Sequence, residues 1–175
     1  MNASAAPSSP VSPDPAAAGG QGTQAPIALS ALLCFDVYAT SRAVTRAYRP
    51  LLEPLGLTYP QFLVMLSLWE ADADDAVTRP LTVGALGERL ALDSGTLSPL
   101  LKRLEASGLL RRERSTHDER EVQVALSDEG RALQAKAADV PTQMTGLMGL
   151  NPRDVQRLQV SLRLLRSHLD QHDDD

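Results

Sequence analysis

From Leu29 onward the apolar residues return at helical intervals: Leu29, Leu32, Leu33, Val37, Val44, Tyr48, Leu51, Leu52 and Leu55 lie mostly three, four or seven positions apart. This spacing predicts a first helix that Pro50 and Pro54 kink or end. A second helix is predicted to open at Thr58-Tyr59-Pro60-Gln61, where Thr and Gln have the spacing of a capping box and proline stands in the first turn. It runs through Phe62, Leu63, Met65, Leu66 and Trp69 and stops in the acidic stretch ADADDAVTRP, residues 71–80. Two short helices follow. Thr82 caps one with Val83, Leu86 and Leu90 inward, and Asp93 or Ser94 starts the other, with Leu97, Leu100, Leu101 and Leu104 on one face and Gly108 as its C-terminal cap.

Beyond Gly108 the period changes. LLRRERS and EVQVALS flank Thr116 to Glu119, and Val122, Val124 and Leu126 alternate with polar positions, which predicts a two-stranded hairpin. Ser127-Asp128-Glu129 opens another helix that Pro141 should bend. A last helix has Asn151 as cap, Pro152 at its first position and a seam of Val155, Leu158, Leu162, Leu165 and Leu169 that asks for a partner helix. Before Leu29 the chain is Pro, Ala, Ser and Gly with almost nothing to bury, the composition of a disordered tail. The order of elements is that of a mainly α protein with a small β-wing: a winged helix-turn-helix domain flanked by long helices. The predicted boundaries are a tail over 1–28 and a single domain over 29–172. Within it, 29–57 and 128–172 are dimerisation helices and 58–127 is the winged-helix, DNA-binding part.

Charge changes the picture locally. The chain of 175 residues has net charge −5, an unpromising balance for a polyanion partner, yet Lys102 to Arg120 holds six basic residues against four acidic ones. A phosphate backbone feels that patch before it feels the average. In DSGTLSPLLKRLEASG the outward positions Ser94, Gly95, Thr96, Ser98 and Pro99 are small or hydroxylic, which suits close approach to DNA. Lys102 and Arg103 would meet phosphates. In the hairpin, Arg111, Arg112, Arg114 and Arg120 add charge, and Asp118 is placed to hold an arginine through a bidentate pair. Second of two short helices in the major groove, basic wing on the flanking backbone or minor groove: the partner expected is double-stranded DNA.

The block LDSGTLSPLLKRLEASGLLRRERSTHDEREVQVALSDEG resembles the MarR family of winged helix-turn-helix regulators, whose wing shows the D-x-R pattern found here at Asp118-Glu119-Arg120. With LCFDVYATSRAVTRAYRPLLEPLGLTYPQF added, the chain is similar to the organic-hydroperoxide-sensing repressors within that family. The resemblance spans about Leu32 to the C-terminal helix. It implies a homodimer on a pseudo-palindromic operator that represses a peroxide-detoxification gene and leaves DNA when its cysteine is oxidised by an organic hydroperoxide.

The chain has one cysteine, Cys34, and only three tyrosines. A free cysteine is ordinarily a small buried hydrophobe. Tyr38, four residues on, shares its helical face. Tyr48, fourteen residues on, would lie roughly 21 Å along an ideal helix and about 40° round it, so it faces the same way and serves Cys34 only from another chain. The resemblance implies that arrangement, with Tyr38, Tyr48 and Tyr59 holding the cysteine and some donated across the dimer. Phenol hydroxyls stabilise a thiolate, the species a peroxide oxidises. Leu33, Phe35, Val37 and Trp69 would supply an apolar surround. With no second cysteine, the sulfenic acid is expected to form a mixed disulfide with a small thiol, or to over-oxidise.

Other readings stay open. A regulator of the same class could answer a small phenolic or aromatic ligand with Cys34 incidental. A cysteine peroxidase lacks a resolving cysteine or a nearby general base and leaves the DNA-reading half unexplained. A scaffolding dimer is the remaining option. No cofactor is expected, and His117, His168 and His172 lack metal-ligand spacing and read as solvated surface. The single cysteine, the absence of any long apolar run and the lack of a signal-peptide pattern lead to the expectation of a cytoplasmic protein without membrane contact.

Overall fold

The computed structural model describes residues 28–73, 80–115, 118 and 120–171. The predicted N-terminal tail, most of the 71–80 stretch, His117 and His172 lie outside them. The chain divides into two units, the boundary falling after Val37. In the first, a single 3-10 turn, Leu29–Ala31, precedes the start of helix α1, Leu33–Leu52. The helix predicted from Leu29 thus begins a turn later, because Leu32 is extended.

The second unit holds the core. Pro50 stands within the last turn of α1, and a 3-10 turn, Glu53–Leu55, ends at Gly56 in the left-handed region with φ 68°. Helix α2, Tyr59–Ala73, buries residues almost all round, among them Phe62, Val64, Met65, Leu68 and Trp69, as the central helix of a domain must. Its start is half a capping box. Gln61 Oε1 accepts from both the backbone N–H and the hydroxyl of Thr58, each at 2.9 Å, so the hydroxyl is spent as a donor.

Strand β1, Leu81–Thr82, leads directly into helix α3, Val83–Leu90, whose N-cap Thr82 accepts from the N–H of Ala85. Ala91 turns the chain with φ 52°, and helix α4, Ser94–Ala106, starts from Asp93, whose carboxylate accepts from Thr96. Gly108 reverses the backbone with φ 73°, and strands β2, Leu110–Arg114, and β3, Val122–Leu126, form the hairpin. The sheet has three strands rather than two. All are antiparallel in the order β1-β3-β2, with Leu81 opposite Val124 and Thr82 opposite Gln123. That third strand anchors the hairpin to the start of α3.

Helix α5, Asp128–Ala137, is capped by Ser127, and helix α6, Val140–Met148, carries Pro141 in its first turn. The predicted bend at Pro141 is therefore a break between two helices. Helix α7, Pro152–Asp170, is capped by Asn151, whose side chain accepts from the N–H of Asp154. Leu97, Leu101 and Leu104 of α4, Leu110, Val124 and Leu126 of the sheet, and Leu133 and Ala137 of α5 close on α2. No single described helix is long and apolar enough to cross a membrane.

Candidate nucleic-acid interface and cysteine site

The tight turn through Ala91 and Leu92 places α4 across α3. With Leu97, Leu101 and Leu104 buried, its opposite face looks outward. Ser94, Gly95, Thr96, Pro99, Lys102 and Arg103 are exposed and Ser98 is half-buried. The predicted helix-face residues therefore share one accessible side of one helix. Lys102 and Arg103 form no ion pair with a described residue. The exposed Asp93 carboxylate bonds the N–H and hydroxyl of Thr96 at 2.9 and 2.8 Å. Those bonds, the hydroxyl's first, hold it below the usual carboxylate range.

On the hairpin Arg114, Asp118 and Arg120 are exposed. Asp118 does not act as predicted. Its carboxylate accepts from the backbone N–H of Arg120 at 2.9 Å, shaping the turn, and it makes no ion pair with an arginine among the described residues. On the hairpin the arginine that donates through two side-chain nitrogens is Arg112, and its acceptor is Glu105, which sequence reasoning missed. Arg112 Nε and Nη2 donate to Glu105 Oε2 at 2.9 and 2.6 Å, and the backbone N–H of Arg112 donates to Oε1 at 3.0 Å. The signal was present as a glutamate in the last turn of α4 facing a basic strand across Gly108. An open cleft of about 410 Å³ lies beside this link, bordered by Thr82, Gly84, Ser98, Arg112, Arg120 and Glu121.

Cys34 lies in the first turn of α1 and is exposed. Within the same unit Leu29, Leu32, Leu33 and Val37 are exposed as well, and Phe35 is half-buried. In the second unit Tyr38 is exposed, with the Arg42 guanidinium 5.7 Å from its ring centroid and Nη1 donating to its hydroxyl at 3.4 Å. Tyr48 and Tyr59 come together: their rings stack at 4.4 Å, and Tyr48 meets Phe62 at 6.0 Å. Burial raises both phenols above the ordinary tyrosine range, and Tyr59 adds to the effect on Tyr48. Both remain hydrogen-bond donors at neutral pH. Trp69 belongs to the core: its Nε1 donates to the carbonyl of Gly130 at 2.8 Å, and its ring meets Phe62 edge-on.

A second open cleft, about 510 Å³, is lined by Thr45, Arg49, Glu53, Leu57, Thr58 and Tyr59 among others. Among the described residues no group of His, Cys, Asp and Glu is arranged to hold a metal ion.

The family model for the transcriptional regulators SarA/Rot matches residues 46–136. The organic hydroperoxide resistance transcriptional regulator of Bacillus subtilis (strain 168) is 45% identical over 139 residues, covering 79% of this chain and 90% of that protein. The HTH-type transcriptional regulator TtmR of Methylorubrum extorquens (strain PA1) is 46% identical over 148 residues, 85% of this chain and 72% of TtmR. Among solved structures, reduced AbfR bound to DNA superposes with a TM-score of 0.64 at 33% identity, covering 81% of this chain and 94% of that one. AbfR is a protein of Staphylococcus epidermidis.

Proposed function

Because the chain belongs to the SarA/Rot- and MarR-type winged-helix transcriptional regulators, DNA-binding proteins, we propose that it is a homodimeric repressor that senses organic hydroperoxides through Cys34. One observation carries this reading: the lone cysteine is exposed amid large side chains that water solvates poorly, Leu29, Leu32, Leu33 and Val37. No residue of α7 is buried, although Leu158, Leu162 and Leu169 project from it. Apolar surface on this scale asks for a cover. A second copy supplies one and turns the cysteine's surroundings into an interface, where Tyr38, Tyr48 and Tyr59 hold the thiolate. The B. subtilis relative's name makes organic hydroperoxide the first signal to try.

In the proposed chemistry the Cys34 thiolate attacks one peroxide oxygen. An S–O bond forms, the O–O bond breaks, and the alkoxide takes a proton and leaves as an alcohol, so sulfur is oxidised by two electrons and the peroxide reduced. A small thiol then displaces the sulfenic oxygen as water and leaves a mixed disulfide. The new group expands the space around α1 and alters the spacing of the two copies of α4 on a pseudo-palindromic operator. Half-sites about one helical turn apart do not tolerate that change. Ser94, Gly95, Thr96, Ser98 and Pro99 are proposed to face bases and phosphates. Lys102, Arg103, Arg114 and Arg120 are proposed to neutralise phosphate, with Asp118 shaping the wing.

Mass spectrometry of the Cys34 peptide after cumene hydroperoxide and a small thiol tests the sensing step. The expected product is a thiol adduct at Cys34; an unmodified thiol contradicts it. The 510 Å³ cleft beside Arg49 and Tyr59 favours the second reading, a regulator answering a small aromatic ligand. Ligand-induced release from DNA by a Cys34→Ser variant would support that reading instead.

A further inference from the structure

Five ion pairs join described residues, and Glu105 with Arg112 is the most enclosed of them. The Arg112 and Glu105 side chains are 26% and 34% exposed. Every member of the other pairs is at least 41% exposed. The pair also differs in what it grips. Glu105 holds the guanidinium of Arg112 and, through the backbone N–H at 3.0 Å, the strand itself.

Its place in the fold gives that grip a consequence. Glu105 is in the last turn of α4, and Arg112 is at the middle of β2, on the same face of the strand as Leu110 and Arg114. Along that face burial falls from Leu110, which is in the core, through half-buried Arg112 to exposed Arg114. Arg112 is thus where this face of the strand passes from core to solvent, and there it is tied to the helix. The cations on either side of this point, Lys102 and Arg103 on α4 and Arg114 and Arg120 on the hairpin, are exposed. Their separation depends on the angle between helix and strand.

We propose that Glu105 and Arg112 are positioning residues for DNA binding, and that Arg112 acts by fixing the hairpin against α4 instead of by contacting phosphate. This rests on the DNA-binding reading above. The same bonds, the side-chain bond to Arg112 first, keep the Glu105 carboxyl below the usual carboxylate range, so the link is charged at neutral pH.

Electrostatics alone makes the opposite prediction for one variant. Glu105 is a negative charge on the face turned to a polyanion, so neutralising it strengthens DNA binding if Glu105 is a bystander. If it positions the wing, neutralising it weakens binding. The test is fluorescence anisotropy of full-length wild type, Glu105→Gln, Arg112→Gln and the double variant on duplex DNA from upstream of the chain's own gene, with thermal melts to confirm folding. Glu105→Gln and Arg112→Gln should each weaken binding about fivefold or more, and the double variant should be no worse than Arg112→Gln, since one link is lost in all three. The charge-reversed pair Glu105→Arg with Arg112→Glu keeps the net charge and should bind more tightly than Arg112→Glu alone. Equal or tighter binding by Glu105→Gln, additive losses in the double variant, or no recovery in the reversed pair overturns the positioning role. Absence of binding by wild type overturns the DNA-binding reading itself, a separate result.

Discussion

At Gly130 an added Cβ would collide with the carbonyl oxygen of Leu109, so the first turn of α5 and the start of the hairpin approach as only glycine allows. The same residue's carbonyl accepts the Trp69 indole bond, and Ser127 joins the group by donating to the carbonyl of Gly108 at 2.6 Å. Gly130→Ala must move backbone, and overpacking of this kind costs roughly 1–3 kcal/mol. A lowered melting temperature with changed tryptophan fluorescence is the expected outcome; a wild-type melt would show that the contact relaxes freely. The close approach was not legible beforehand, because Gly130 and Leu109 are brought together by folding and nothing local marks either. Glu105 and Arg112 were legible only as opposite charges on either side of the Gly108 turn; seven positions apart across a helix end, no helix or strand periodicity pairs them. Cys34 and the tyrosines were legible as residues. That Tyr48 stacks on Tyr59 within one chain was not, since it depends on how α1 meets α2.

Among elements, the helix starts were the most legible. Thr82 and Asn151 act as the caps read for them, Asp93 and not Ser94 caps its helix, and Ser127 caps the helix read as opening there, because a short polar side chain at such a position satisfies an N–H that nothing else in the helix reaches. β1 was invisible: two residues carry no periodicity, and Leu81 and Thr82 are a strand only by pairing with β3. The Asp93 cap carries a pH signature. Its carboxylate is held below the usual range by Thr96, so its contribution is complete above the unfolded-state pKa and is lost as pH falls through the lower folded-state value. Asp93→Asn keeps a capping oxygen without a titrating group, and its melting temperature should fall less steeply on acidification than that of wild type. An identical acid dependence in thermal melts across that range would deny Asp93 the role.

For the molecule as a whole, the order of elements made the winged-helix architecture legible, and the family comparisons bear it out. The assembly was legible only as a demand for a partner: the α7 seam was read as apolar, and Val155 and Leu165 are half-buried while Leu158, Leu162 and Leu169 stand exposed in the single chain. Replacing Leu158 and Leu162 with aspartate should therefore convert the proposed dimer to monomer in sedimentation velocity, and a variant still dimeric would place the interface elsewhere. Net charge −5 with a basic helix and wing further predicts binding to DNA that weakens steeply with salt. The central claim is that oxidation of Cys34 separates the protein from DNA, and release measured by anisotropy on upstream duplex tests it most directly. Cumene hydroperoxide with a small thiol should release wild type and leave Cys34→Ser bound at its starting affinity. Equal release of both, or wild type that stays bound with its cysteine modified, would contradict the account.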